Sequence, residues 1–231
     1  MIPLRHLLLL LLLSPPAICR SSEPTSQVFV PEEARALVAQ AEKSFTHGDL
    51  GEAESFYKKA LAFSPDNGSI LVSLAAVKTR RGKLDDSNAL LQQALRLDLK
   101  NGPAWLLLGM NSLAQKHDDA AFAALAQAVF CDDHNPRAHN YLGIAAGRKG
   151  WSEASEQELS RAVELDPHYA DANFNLAVLY LRRTPPLIEL ARRHYQQALD
   201  LGSPKDPIIE SKLGKSIATP EESPSPSSAL P

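Results

Sequence analysis

Residues 136–169 read PRAHNYLGIAAGRKGWSEASEQELSRAVELDPHY, and the chain repeats the pattern of this stretch every 34 residues. One alanine of the stretch recurs throughout the chain, with a two-residue insertion before its last copy, at Ala60, Ala94, Ala128, Ala162 and Ala198. A leucine recurs with the same period at Leu74, Leu108, Leu142 and Leu176. A fixed period of this length predicts a solenoid whose repeating unit is a pair of helices.

Apolar spacing within each repeat predicts the two helices. In the first repeat Leu37, Ala41 and Phe45 are four residues apart, which is typical of one helical face. The glycines at 48 and 51 end this helix, and a second apolar series follows. We therefore predict an all-α fold, a solenoid of five repeats with a short capping helix. The predicted boundaries are 34–67, 68–101, 102–135, 136–169 and 170–205, with a cap at 206–214 in which Ile208, Ile209 and Leu213 cover the last repeat.

The third repeat contains Trp105-Leu106-Leu107-Leu108-Gly109, an aromatic-x-x-Leu-Gly opening. With the 34-residue period, this motif makes residues 34–203 resemble tetratricopeptide repeat proteins. The resemblance implies a right-handed superhelix whose first helices line a concave groove, and a role in binding peptides or protein surfaces without catalysis. The third repeat departs from the pattern, because Lys116-His117-Asp118 stands where the first, second and fourth repeats have a turn glycine.

The resemblance also implies which residues line the groove. They are Val38, Phe45, Val72, Arg80, Leu106, Met110, Leu113, Asn140, Ile144, Arg148, Phe174, Asn175, Val178, Leu181 and Arg182. This apolar surface, edged by arginines that include Arg183, predicts a partner segment with apolar anchors and some acidic residues. Alternatively, several of the apolar residues face the neighbouring helix. Asn140 and Asn175 are interpreted as isolated asparagines that either bond a peptide backbone or face solvent.

The N-terminus has the pattern of a secretory signal peptide, predicted over residues 1–19. The leucine run 7–13 is too short to cross a bilayer, which takes about 20 residues. Cleavage before Arg20 would place the mature chain outside the cytoplasm, in a bacterial periplasm or cell envelope by analogy with similar exported proteins, or otherwise in a secreted form. A lipid anchor at Cys19 is the alternative, but Ile18 is not the small residue that such signals require. We interpret residues 20–33 as a linker and residues 215–231 as a disordered Ser/Pro-rich tail.

The net charge of −3 gives no basic excess, so a nucleic-acid partner is not expected. No catalytic motif is recognisable, and neither an enzyme activity nor a cofactor is predicted. A second interpretation is an accessory factor, similar to a chaperone, in the biogenesis of envelope proteins or cytochromes. A third, an enzyme subunit or metal carrier, would require a cofactor that survives purification.

Three smaller features carry hypotheses. Cys131 shares a column with Phe63, Leu97, Leu165 and Leu201 and is predicted to be a small buried apolar residue. Imidazole and carboxylate groups gather at Asp132, Asp133, His134, His139 and His168, but their spacing matches no metal-ligand pattern, so no metal is predicted. Residues 67–69 read Asn-Gly-Ser, an acceptor triplet for N-glycosylation.

Overall fold

The computed structural model describes residues 31–215, and within that range every regular element is a helix. The helices are α1 (Glu32–His47), α2 (Leu50–Phe63), α3 (Gly68–Arg80), α4 (Leu84–Leu97), α5 (Gly102–Ala114), α6 (Asp118–Cys131), α7 (Pro136–Arg148), α8 (Ser152–Leu165), α9 (Ala170–Arg182), α10 (Ile188–Asp200) and α11 (Pro207–Lys215). The predicted signal peptide with Cys19, most of the predicted linker, and residues 216–231 of the predicted tail lie outside the described residues. Across 31–215, the helices are too short or too polar to span a membrane.

Consecutive helices pair and then stack, which confirms the predicted solenoid of helical repeats. The odd-numbered helices α1 to α9 are the first helices of the five repeats, and α2 to α10 are the second helices. Each second helix packs against the first helix of the next repeat, and α3, α5, α7 and α9 also contact each other in a row. The apolar core crosses the boundary between repeats: Leu71, Leu91 and Ala104, from α3, α4 and α5, share one apolar cluster.

Asparagines begin three of the first helices. The side chain of Asn67 accepts a hydrogen bond from the backbone N–H of Ile70 at 3.1 Å, and Asn101 and Asn135 make the equivalent bond in the next two repeats. An asparagine in this position stabilises a helix by about 1 kcal/mol relative to alanine. Asn67 is buried in this cap. The triplet at 67–69 therefore uses its asparagine for structure.

The turn inside each of the first four repeats contains one residue with a left-handed backbone. Gly48, Gly82 and Gly150 have φ angles of 90°, 73° and 79°, and Lys116 occupies the equivalent position with φ 61°. The third repeat thus keeps the shape of the turn although its residue carries a Cβ. A left-handed conformation costs a residue with a Cβ about 1–2 kcal/mol.

We expect Lys116→Gly to raise the free energy of unfolding by about 1 kcal/mol, because it removes this strain at a smaller cost in unfolded-chain entropy. The midpoint of urea denaturation measures the change. Ala114→Gly, in the helical end of α5, is the matched control and should destabilise by about 1 kcal/mol. A lower midpoint for Lys116→Gly would contradict the expectation.

Small residues set the distance between the two helices of a repeat. The recurring alanines at 60, 94, 162 and 198 have no exposed surface. Gly109 and Gly143 occupy the column that is alanine in other repeats, and each lies directly against a leucine of the second helix, Leu125 or Leu159. Because the backbone of the first helix touches these leucines, the helices pack closely and leave no room for a Cβ at either glycine.

The side-chain contact between a second helix and the turn of the next repeat is not the same at every repeat junction. We call it the junction slot, between a second-helix residue and a residue of the next repeat's turn. Glu54 forms an ion pair with Arg81, and Glu156 forms one with Arg183. At the second junction the contact is uncharged, since Asn88 Nδ2 donates a hydrogen bond to Gln115 Oε1 at 3.1 Å. The third junction instead has Phe122 and Trp151 in edge-to-face contact at 4.9 Å between ring centroids. The apolar columns are uniform, but the slots are not.

Two burial predictions are wrong. Cys131 is only half-buried, since it is the last residue of α6 and packs on Gly102 on one side while solvent covers the other. Phe63 and Leu97 of the same column are 52% and 45% exposed for the same reason. Ile208 is 69% exposed, whereas Ile209 and Leu213 are buried. Adjacent residues of α11 cannot share one helical face.

Candidate functional site

A cavity of about 300 Å³ opens between α7, α8 and α9, and we call it the α7–α9 pocket. Among the residues predicted to contact a partner, those that line it are Ile144, Arg148, Asn175, Val178 and Arg182. The other lining residues are Gly147, Gly150, Ser152, Ser155, Leu159 and Leu179. The volume is at the lower end of the range for ligand pockets, enough for one or two side chains of a peptide.

Gly147 leaves the α7 side of the pocket without a side chain. Counting back and forward by the repeat period, the equivalent residues are Phe45, Thr79, Leu113 and Leu181. A Cβ on Gly147 would lie 3.0 Å from Ser155 Oγ, so the glycine backbone sits close to α8. The other four repeats carry a side chain at this position, so the space beside the α7 backbone is particular to the fourth repeat. The irregularity is visible in the sequence, but the prediction of the groove did not use it.

The inner wall of the pocket is apolar. Leu159 and Leu179 are 2% and 8% exposed, and Ile144 and Val178 are half-buried. Ser155 contributes little polarity, because its hydroxyl donates to the carbonyl oxygen of Gly143 at 2.8 Å. An aliphatic side chain inserted here would be removed from water, which stabilises binding by about 0.8 kcal/mol for each CH₂ buried.

The arginines that end the first helices differ in what they bind. Arg80 donates to the backbone oxygen of Phe45 at 3.0 Å, and Arg148 donates to that of Leu113 at 2.6 Å and lies 3.4 Å from Asp118. In both cases the guanidinium ties one first helix to the C-terminal end of the preceding one. The structure therefore uses Arg80 and Arg148 partly as inter-repeat links.

Arg182, at the mouth of the pocket, has no such link. It is exposed, and within residues 31–215 no hydrogen bond or ion pair engages its guanidinium. Arg183 is different again, since it pairs with Glu156. Of the arginines predicted to edge the groove, Arg182 is thus the one whose charge remains available, in the described part of the chain, to a carboxylate from outside.

Asn140 and Asn175 are neither isolated nor simply solvent-facing, contrary to the sequence interpretation. Asn175 Nδ2 donates to Asn140 Oδ1 at 2.9 Å, and Asn140 Nδ2 donates to the Tyr169 hydroxyl at 3.3 Å. Burial raises the pKa of Tyr169 to about 12, so its hydroxyl stays protonated. Asn140 is 2% exposed and therefore orients Asn175, which lines the pocket.

The remaining predicted contact residues lie outside the pocket. Those that are half-buried on the first helices are Val38, Phe45, Val72, Met110 and Phe174. Those that are buried in the packing between helices are Leu106, Leu113 and Leu181, at 9%, 5% and 7% exposure. The structure thus brings together five of the predicted residues of the fourth and fifth repeats, whereas the three buried leucines belong to the apolar core.

The histidine and carboxylate cluster is explained by turn geometry. Asp132 accepts a hydrogen bond from the backbone N–H of His134 at 3.1 Å, and Asp166 makes the same bond with His168. Ligand atoms of exposed Asp132, Asp133 and His134 lie within 4.8 Å of one another, but His139 does not join them. Its two nitrogens contact Glu158 Oε2 at 2.7 Å and a backbone oxygen at 3.0 Å, and the bond to Glu158 raises the pKa of His139.

Sequence comparison identifies one family. The model described as tetratricopeptide repeat matches residues 74–136 and 140–207, which together are more than half of the chain. No curated protein has a matching sequence.

Solved structures share the fold at low sequence identity. PilF of Pseudomonas aeruginosa is 18% identical with a TM-score of 0.72, and the match covers 80% of this chain and 84% of PilF. MamA of Desulfovibrio magneticus RS-1 is 18% identical with a TM-score of 0.64, over 75% of this chain and 97% of MamA. YrrB, described as a TPR protein with an unusual peptide-binding site, is 21% identical with a TM-score of 0.60, over 79% and 92%. At these identities the likeness shows the fold alone.

Proposed function

This chain belongs to the tetratricopeptide repeat family, and from that premise we propose that it is a non-catalytic scaffold that binds a peptide or protein segment in the α7–α9 pocket. Proteins of this family are generally scaffolds, and the YrrB structure is described as having a peptide-binding site on the same kind of repeat. The observation that carries the proposal is that the apolar inner wall of the pocket, with Ile144 and Val178, lies beside the exposed and unpaired guanidinium of Arg182.

The chemistry of the pocket specifies the segment. An aliphatic side chain fits against Ile144 and Val178, and a carboxylate a few residues away pairs with Arg182. Ionised hydrogen bonds between arginine and carboxylate are about twice as strong as neutral ones. The pocket therefore supports the proposal that the partner is a segment with an apolar anchor and an acidic residue.

Fluorescence anisotropy with labelled twelve-residue peptides tests this function. The peptides carry one leucine and one glutamate at systematically varied separation, and a matched set carries lysine instead of glutamate. We expect the full chain to prefer the acidic set, and Arg182→Glu to weaken binding of its best peptide at least tenfold, which corresponds to about 1.4 kcal/mol. Gly147→Leu restores the side chain found in other repeats and should fill the pocket with a similar loss.

Arg193→Glu is the matched control, because Arg193 is an exposed arginine on α10 away from the pocket. It should change affinity less than twofold. Circular dichroism of each variant checks that the helices are intact. Unchanged binding by both Arg182→Glu and Gly147→Leu would place the segment elsewhere and contradict the proposal.

We propose further that the protein acts outside the cytoplasm, in a bacterial periplasm or cell envelope. The support is the charged start, leucine run and small residues of positions 1–19. N-terminal sequencing of the chain recovered from its host tests this, with Arg20 as the expected first residue. Recovery of a chain that begins at Met1 from the cytosolic fraction would exclude it.

A further inference from the structure

The row of first helices continues into α11. Ile209 and Leu213 share an apolar cluster with Leu179 and Leu181 of α9, and α11 contacts both α9 and α10. The capping helix therefore occupies the place that the first helix of a sixth repeat would take, on the side of α9 opposite α7.

Contacts with α10 give the direction of α11. At its start, the backbone N–H of Asp206 donates to the hydroxyl of Tyr195, which lies in the second half of α10. At its end, the oxygen of Leu213 accepts from Arg192, which lies near the start of α10. Thus α11 runs antiparallel to α10, and its C-terminus lies at the end of the solenoid where α10 begins. The C-terminus of α9, with Arg182, lies at that same end, because the backbone N–H of Leu187 donates to Tyr180.

The chain after α11 consequently starts close to the pocket mouth. Neighbouring helix axes are about 8–10 Å apart, so Arg182 is about one helix spacing from the C-terminus of α11, and Arg148 about two. The six residues from Lys215 to Glu221 span up to about 20 Å when extended. This reach is sufficient to bring residues 221 and 222 to Arg182.

The composition of residues 216–231 matches the chemistry of the pocket. This segment reads SIATPEESPSPSSALP, with adjacent carboxylates at Glu221 and Glu222, the apolar residue Ile217, and no lysine or arginine. Arg182 provides an unpaired positive charge, and Ile144 and Val178 provide apolar surface.

We propose that residues 216–231 bind in the α7–α9 pocket of their own chain, with Glu221 or Glu222 paired to Arg182. The segment thereby competes with the external partner and sets the concentration at which that partner binds. This inference rests on the function proposed above, since it assigns to the same pocket an internal ligand of the same class. Short tethers give effective concentrations in the millimolar range, so an intrinsic affinity of about 100 µM would weaken external binding about tenfold.

A synthetic, fluorescein-labelled peptide of residues 216–231, added to the full chain, tests the competition by anisotropy. We expect weak binding to the wild-type chain. The variant with Glu221→Lys and Glu222→Lys should bind the peptide about tenfold more tightly, because its own segment no longer occupies the pocket. Adding Arg182→Glu to that variant should abolish the gain. The control with Glu32→Lys and Glu33→Lys makes the same change in net charge at the start of α1 and should bind as weakly as the wild type.

A bimane label on the Ser223→Cys variant, in a background with Cys19→Ser and Cys131→Ser, measures docking directly. Trp151, between the lining residues Gly150 and Ser152, should quench the label, and Arg182→Glu or added salt should restore its fluorescence. Equal peptide affinity for the wild-type and the Glu221/Glu222 variant, with Arg182→Glu still weakening binding of the leucine–glutamate peptides, would overturn this inference and leave the proposed function intact. No effect of Arg182→Glu or of Gly147→Leu on the binding of any acidic peptide would overturn both.

Discussion

Shortening Leu125 to alanine is expected to lower the free energy of unfolding by about 4 kcal/mol. Leu125 has no exposed surface and lies in the cluster that joins the third and fourth repeats. Removing a buried leucine costs about 2–5 kcal/mol, because apolar surface is lost and a cavity remains. Here the opposing surface is the helix backbone at Gly109, which cannot move to close the cavity without shifting α5. Urea denaturation followed by circular dichroism measures the loss.

A substitution on the other side of this contact, at Gly109, tests whether the close approach of Gly109 and Leu125 explains the loss. A Cβ on Gly109 would touch Leu125 Cγ and lie 2.7 Å and 3.3 Å from its two methyl carbons. We therefore expect Gly109→Ala to destabilise by about 1–3 kcal/mol, although alanine favours a helix over glycine by about 1 kcal/mol. In the Leu125→Ala background the same change should be neutral or stabilising. The control is Gly51→Ala, since a Cβ on Gly51 has nothing within 4 Å and should not destabilise. Additive losses in the double variant would contradict this account.

Replacing Glu54 with alanine is expected to cost about 3 kcal/mol at neutral pH. Glu54 is 7% exposed and contacts Lys58 at 2.7 Å, Lys78 at 2.9 Å and Arg81. Without it, Lys78 remains buried with one exposed partner, Asp86. Breaking a buried ion pair by removing one member costs about 3–5 kcal/mol, since the other charge is left uncompensated.

This contribution should depend on pH. The hydrogen bond from Lys58, followed by that from Lys78, lowers the pKa of Glu54 from 4.5 to about 2. A carboxyl group with a lowered pKa stabilises the folded state fully above its unfolded value, near pH 4.5, and loses that effect as the pH falls towards 2. Glu54→Gln is the control, because it keeps the size of the side chain without the charge. The stability difference between wild type and Glu54→Gln should shrink between pH 5 and pH 2, and a constant difference would argue against the ion pair.

The repeat architecture was predictable because it depends on residue size at fixed intervals. Alanine or glycine recurs where the two helices of a repeat pack closely. Five helix pairs and a capping helix could therefore be predicted from the sequence. The turn at Lys116 shows that the residue type at one position does not always predict the backbone conformation. The sequence lacks glycine there, yet the backbone adopts the same left-handed conformation because the two flanking helices dictate it.

The pocket was only partly predictable. Family resemblance indicated the first-helix face, and that face includes Ile144, Arg148, Asn175, Val178 and Arg182. It did not distinguish the arginines, because whether a guanidinium reaches a carbonyl oxygen 35 residues earlier is decided by three-dimensional packing. It also did not single out the fourth repeat, because the groove was predicted from the residues that are present on each first helix and not from the side chain that is missing at Gly147.

The varied junction slots have a consequence for how this array changes over evolutionary time. Arrays of this kind grow and shrink by duplication or loss of whole units, and loss of residues 68–101 would preserve every hydrophobic column. It would nevertheless set Glu54 opposite Gln115 and remove the guanidinium that the carboxylate pairs with. The side-chain pairs at the junction slots therefore constrain the number and the order of the repeats. A protein that lacked one repeat would have one junction whose side chains do not pair.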